Sequence, residues 1–164
     1  MNKIIFFSTI LTLLLSGCTS STSSNSVIAK VKPNLTLSQE KTWQLMQGKW
    51  YGDQSTDDNG KREWLVERYP DGTYKIDFRQ TNKDGTKNDS TEVGQWGVSG
   101  NIYFSIFRGR VINKKMLPVN PSNPYNYDAY KILQLNDEIF KYEATSSNHR
   151  FTAKRKPSNF QLFP

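Results

Sequence analysis

Residues able to do chemistry are few in this chain, and their scarcity narrows what it can be. A single cysteine, Cys18, leaves no internal disulfide and no thiolate set for structural zinc. A single histidine, His149, excludes a multi-histidine metal site, and any histidine-dependent triad would have to be built on it. It adjoins the turn Ser146-Ser147-Asn148, where an exposed side chain is expected. Glu63 and Glu67 flank Trp64 on one face of an alternating stretch. Paired carboxylates can do acid–base work, but basic residues on neighbouring strands are the expected partners of these two. No nucleophile, base and orienting group are made to converge. A non-enzymatic protein without cofactor or metal is therefore expected.

Rings and cations are what the chain has in quantity. Aromatics make up 13% of it, with eight tyrosines. Trp64, Tyr74, Phe78, Trp96, Phe104, Tyr130 and Phe140 could line an apolar pocket, or equally fill a core. Arg68, Arg79, Arg108, Arg110 and Lys131 lie on or near strand patterns. Pointing inward, such residues would neutralise a ligand carboxylate or phosphate, with Arg68 and Arg108 as the candidates. Pointing outward, they are solvated surface charges.

Location is written at the N-terminus. Met1-Asn2-Lys3 starts the chain with a positive charge, residues 4–15 are almost continuously apolar, and Leu15-Ser16-Gly17-Cys18 ends the run. The run falls short of the roughly 20 residues that cross a bilayer and has the layout of a secretory signal. With Cys18 at its end, this segment resembles the lipobox of bacterial lipoproteins. The resemblance implies that residues 1–17 are a lipoprotein signal peptide and that the Cys18 thiol is acylated, with chains such as palmitate. Two or three chains give a stable anchor where one binds marginally. Thr19 follows the cysteine, not an aspartate, and by the same resemblance this implies the outer membrane, facing the periplasm. Residues 18–34 then carry the lipidated cysteine and a Ser/Thr-rich flexible tether.

Beyond the tether, residues 36–48 have helix-start chemistry, with Ser38 as the expected N-cap and Trp43, Leu45 and Met46 on one apolar face. Alternating segments then predict strands over residues 49–54, 62–69, 73–80, 90–99, 102–112, 127–135, 138–145 and 149–156. Pro70-Asp71-Gly72, Asn82-Lys83-Asp84-Gly85 and Asn136-Asp137 are turn signals between them. Residues 116–125 contain Pro118, Pro121 and Pro124 and are expected to be irregular. Eight strands joined by hairpin-length links predict an all-β, up-and-down antiparallel meander that closes into a barrel and so removes its edges. A half-open sheet packed on the helix is the alternative. The barrel would span residues 35–157, with residues 158–164 as a C-terminal tail.

Gly48-Lys49-Trp50, placed just after the helix and opening the first strand, resembles the Gly-x-Trp signature of lipocalin-like (calycin) proteins. Family resemblance implies that Trp50 closes one end of the barrel and that an arginine near the end of the last strand packs across it. Arg155 is the candidate, with Lys154 and Arg150 as alternatives. It further implies an interior that takes a small apolar or amphipathic ligand. The chain lacks the Thr-Asp-Tyr type motif of many lipocalins, and its expected strands are short for the family, which points to a small cavity.

A net charge of +7 suits an anionic envelope surface or ligand. Nucleic acid is a poor partner for an exported, lipid-anchored protein. Two readings follow: a carrier of a small ligand, whose anionic end is held by basic groups at the rim, or a filled barrel that binds an envelope protein through the proline-rich loop. For the N-terminus the prediction is specific. Cys18→Ser should abolish metabolic incorporation of a palmitate analogue and release the protein from the membrane fraction; labelling that persists would place acylation elsewhere.

Overall fold

The computed structural model describes residues 37–163. The signal peptide, Cys18 and the tether, predicted for residues 1–34, lie outside the described residues. A helix, α1 (Leu37–Met46), leads directly into β1 (Gly48–Ser55). There follow β2 (Lys61–Arg68), β3 (Thr73–Thr81), β4 (Lys87–Ser99), β5 (Ile102–Ile112), β6 (Lys115–Pro118), β7 (Tyr127–Leu135), β8 (Ile139–Ala144) and β9 (Arg150–Lys156). Every pairing is antiparallel. The order runs β4-β3-β2-β1-β9-β8-β7-β5, and β4 pairs with β5, so eight strands close into the predicted barrel. No helix among the described residues is long and apolar enough to cross a membrane.

Two expectations need correction. Ser38 is the second residue of α1 rather than its cap, and its carbonyl accepts from the Thr42 hydroxyl at 3.0 Å. The stretch expected to be irregular contributes a further strand, β6, which turns back onto the end of β5. Asn113 and Lys114, at φ 51° and 62°, form the link between them. Positive φ at both central residues is what a type I′ hairpin requires, and neither residue was a turn signal of the Gly/Pro kind. Because β6 lies at the sheet margin, its terminal Pro118 interrupts no central ladder.

The barrel is closed at the helix end by a single constellation. Trp50 is fully buried, and its indole N–H donates to the Met46 carbonyl at 3.0 Å, tying the first strand to the last turn of α1. Arg155 stands opposite Trp50 across the β1–β9 seam, with its guanidinium 4.3 Å from the ring centroid. The same guanidinium donates to the carbonyls of Asp137 (2.7 Å), Gln47 (2.9 Å) and Leu45. Gly48 takes φ +84° there, and a Cβ would meet Arg155 Nη1 at 3.3 Å, so glycine is the residue that fits. Trp43 of α1 stacks on Trp96 at 4.0 Å, and Met46 joins Trp50, Trp96, Val98 and Phe140 in the core. The helix thus stoppers one end and leaves the other to the loops.

Outside the barrel, the C-terminal segment after β9 lies along the first strands rather than hanging free. Lys49 Nζ donates to the Phe160 carbonyl at 2.9 Å, and Arg79 Nη1 donates to that of Leu162 at 3.3 Å.

Arg155→Met keeps much of the packing but strands three backbone carbonyls. It should cost on the order of 2 kcal/mol in chemical denaturation, since hydrogen bonds to charged groups are worth about 1.5–3 kcal/mol and this one is partly solvated. Lys154→Met, one residue away and exposed, should stay within about 0.5 kcal/mol of wild type. Equal effects of the two changes would contradict the closure described.

Candidate functional site

Above the closed end the barrel is not filled. A cavity of about 240 Å³ is lined by residues of both walls. One wall is Trp64, Val66 and Arg68 of β2 with Tyr74, Ile76 and Phe78 of β3. The other is Tyr103, Ser105 and Phe107 of β5, Tyr130 of β7, Tyr142 of β8 and Phe151 of β9. At the end away from α1 the rim carries Gln54, Arg62, Glu92 and Asp128, and Arg62 and Asp128 are exposed, so the cavity communicates with solvent there. Period-two alternation places these side chains. Residues two apart on a strand share a face, and directly paired residues on adjacent strands share it too.

The second wall is a continuous stack of rings. Tyr103 lies on Tyr130 at 5.3 Å, Phe140 on Tyr142 at 4.5 Å, and Tyr142 on Phe151 at 5.0 Å. Facing it, Trp64 lies across Gly52, where a Cβ would come within 2.2 Å of the indole; only glycine allows that approach. Burial raises the pKa of three tyrosines in these walls. The Tyr74 phenol is pushed up to about 12, and those of Tyr130 and Tyr142 go higher still. All three are therefore neutral hydroxyls at physiological pH. Trp64 Nε1 lies near enough to the Tyr142 oxygen to offset part of that rise, yet it makes no hydrogen bond of normal geometry. Although Asp128 is exposed as a residue, partial desolvation of its carboxyl against the barrel mouth raises its pKa.

Of the sequence candidates, Trp64, Tyr74, Phe78, Tyr130 and Arg68 line the cavity. Phe140 is fully buried beneath it, its ring 5.4 Å from the Arg68 guanidinium. Trp96 belongs to the closed end, stacked on Trp43, and does not reach the cavity. Phe104 is on the outer face, 40% exposed. Its neighbour Tyr103 takes the inner position, because β5 pairs Tyr103 with Val98 and Tyr130, both inward. Arg108 is also outside. It donates to Gln95 Oε1 at 3.1 Å and to the Tyr127 hydroxyl at 3.3 Å. Gly48, Trp50 and Arg155 form the closure described above. Glu63 and Glu67 point outward; Glu67 pairs with Lys49 of the neighbouring β1 at 4.0 Å as expected, whereas Glu63 pairs with Lys61 of its own strand at 3.2 Å and accepts from the Tyr51 hydroxyl of β1 at 2.6 Å. His149 is exposed near the rim, its Nε2 3.0 Å from Gln54 Oε1.

Arg68 is the main departure from expectation. A basic group was expected at the rim, but Arg68 ends β2 next to the closed end and is only 3% exposed. The rim cation is Arg62, which the sequence reading passed over; its guanidinium lies 4.8 Å from the Phe78 centroid. Alternation from Trp64 back to Arg62 puts Arg62 on the inner face, but its place at the rim follows only from closure.

Fold and site together define a small-cavity, lipocalin-like antiparallel barrel. No family model and no curated protein matches the chain. Among solved structures it is similar to the crystal structure of a lipocalin-like protein from Bacteroides uniformis ATCC 8492, at 17% identity and TM-score 0.42, over 68% of this chain and 99% of that one. The fold assignment rests on the barrel's own strand order and on the Trp50–Arg155 closure.

The buried phenols make a prediction with a definite sign. Because their folded pKa values are raised, the stability they contribute is complete below the ordinary tyrosine pKa of about 10. It is lost as pH climbs through the folded value, about 12 for Tyr74. Ultraviolet titration should show a late group of tyrosines that ionises together with alkaline unfolding. Ionisation of all eight tyrosines near their ordinary value, with the fold intact, would contradict the buried wall.

Proposed function

We propose that this protein is a lipid-anchored envelope lipoprotein whose barrel binds a small amphipathic, anionic ligand without chemically altering it. The observation that carries the reading is the aromatic-walled cavity of about 240 Å³, closed by α1 at one end and reached from solvent at the other. Ring-lined concavities of this kind bury the apolar part of a ligand and orient it with a few polar groups. The volume lies below the roughly 300–1,000 Å³ of common ligand sites, so the occupant is small. Cys18 and the tether, as read from the sequence, would hold the barrel at the membrane surface with its mouth free to load and release.

A second reading has one observation of its own. Ile112, Met116, Leu117 and Tyr125 are exposed on and beside the β5–β6 hairpin, Tyr125 at 90%. Such a patch suits an envelope protein partner. Tyr127, in the same region, is committed to the fold by its hydroxyl, which donates to the Pro121 carbonyl at 2.7 Å.

Native mass spectrometry with extraction of bound small molecules, on the full chain purified from its own host, tests the first reading. A stoichiometric small molecule is expected, lost in Val66→Phe, which fills the cavity, and kept in Phe104→Ala on the outer wall. A clean apo mass, with no uptake of small amphipathic acids or their neutral analogues, would leave the hairpin patch as the functional surface.

A further inference from the structure

Resting on the cavity reading above, we infer that the ligand is a small monocarboxylate that enters acid-first and is held at the bottom of the barrel by Arg68. Among the described residues, the buried side-chain polar atoms without a hydrogen-bond partner are Trp64 Nε1 and Arg68 Nε and Nη1. Both residues line this cavity. None of the ion pairs among the described residues includes Arg68. A guanidinium that is 3% exposed and has no counter-ion is a costly thing to fold around, because buried charges are stable only when paired and hydrogen-bonded.

Its surroundings say what is missing. The Tyr103 ring lies 4.7 Å from the guanidinium carbon and the Phe140 ring 5.4 Å, both in cation–π contact. Rings at that range favour the cation electrostatically but accept nothing from its N–H groups. The unused donors call for an acceptor, and carboxylate is the anion that a guanidinium recognises best. The phenols of Tyr74, Tyr130 and Tyr142 line the same space and stay protonated, so they are available as neutral donors.

Charge and size restrict the ligand further. Arg68 offers one positive charge, and the cavity's other cation, Arg62, is at the rim. A phosphate dianion would bury a second, uncompensated charge among rings. Asp128 at the mouth disfavours a carboxylate resting there, and the cation beside it, Arg62, is exposed and solvated, so the acid group gains most by moving on to the buried, unpaired Arg68. The apolar body then lies between Trp64, Ile76 and Phe78 on one side and Tyr130 and Phe151 on the other. About 240 Å³ admits one ring or a short chain, not a long-chain fatty acid.

The test compares phenylacetate with its neutral isostere phenylacetamide, by calorimetric titration of the full chain and of Arg68→Met. Wild type should bind phenylacetate at least about tenfold tighter, a ratio equivalent to one charge-assisted contact, and Arg68→Met should erase the preference while still binding the amide. The ligand-free variant should melt no lower than ligand-free wild type, since it removes an unpaired charge; a clearly lower melting temperature would mean that Arg68 is already satisfied and overturn the proposal. Equal binding of acid and amide by wild type would overturn the anchor and leave the cavity reading standing. Binding of neither, nor of octanoate, would overturn both. A crystal structure with para-bromophenylacetate gives a readout free of any variant: bromine is expected at the mouth, and bromine at Arg68 would refute the orientation.

Discussion

The contact on which this structure turns is the one between Trp50 and Arg155. They are cross-strand neighbours at the seam where the last strand meets the first, so their pairing converts a long sheet into a closed barrel. The same guanidinium gathers the carbonyls at the end of α1 and before β8, groups that would otherwise be left without partners where the chain changes direction. One planar cation therefore joins helix, first strand and last strand. Its pKa is lowered by partial burial, but arginine remains charged far above any physiological pH, so the clamp does not titrate.

Closure decides which side chains are inside, and that is where function enters. Once β1 is fixed against β9, the pairing of each strand with the next settles which face of every residue looks inward. The register shifts where β5 passes Val93 and Gly94, leaving Arg108 of β5 without a cross-strand partner, and in β7 between Ile132 and Gln134. The resulting interior is heavily aromatic, and its two walls touch at Arg68–Tyr103 and Trp64–Phe151 without filling the space between them. Large rings stacked along one wall are stiff and cannot collapse into the gap, so the space persists.

Two arginines of this barrel face aromatic rings and have opposite circumstances. Arg155 has each of its three guanidinium nitrogens bonded to a backbone carbonyl and serves the fold. Arg68, two strands over and more deeply buried, has its faces near rings and its buried donors unused. A protein of ordinary stability has little margin for an uncompensated buried charge, which is why the second arginine reads as part of a binding site rather than of the scaffold.

By itself the sequence determined the architecture and its stopper. Alternating segments, turn residues and the Gly48-x-Trp50 motif lead to an eight-stranded barrel with a short helix, because each of those signals is local: side-chain period, turn backbone and a glycine that fits beside a large ring. It also singled out Trp64, Tyr74, Phe78, Tyr130 and Arg68, which do share one cavity. It could not choose between Tyr103 and Phe104, since adjacent residues of a strand carry the same hydrophobic weight and only the pairing with β4 and β7 selects the inward one. Nor could it see that Arg108 faces out, that Arg62 rather than Arg68 holds the rim, or that Asn113 and Lys114 would turn β5 back into a further strand. Depth in a barrel is a property of closure, and no local pattern records how far a residue lies from the mouth.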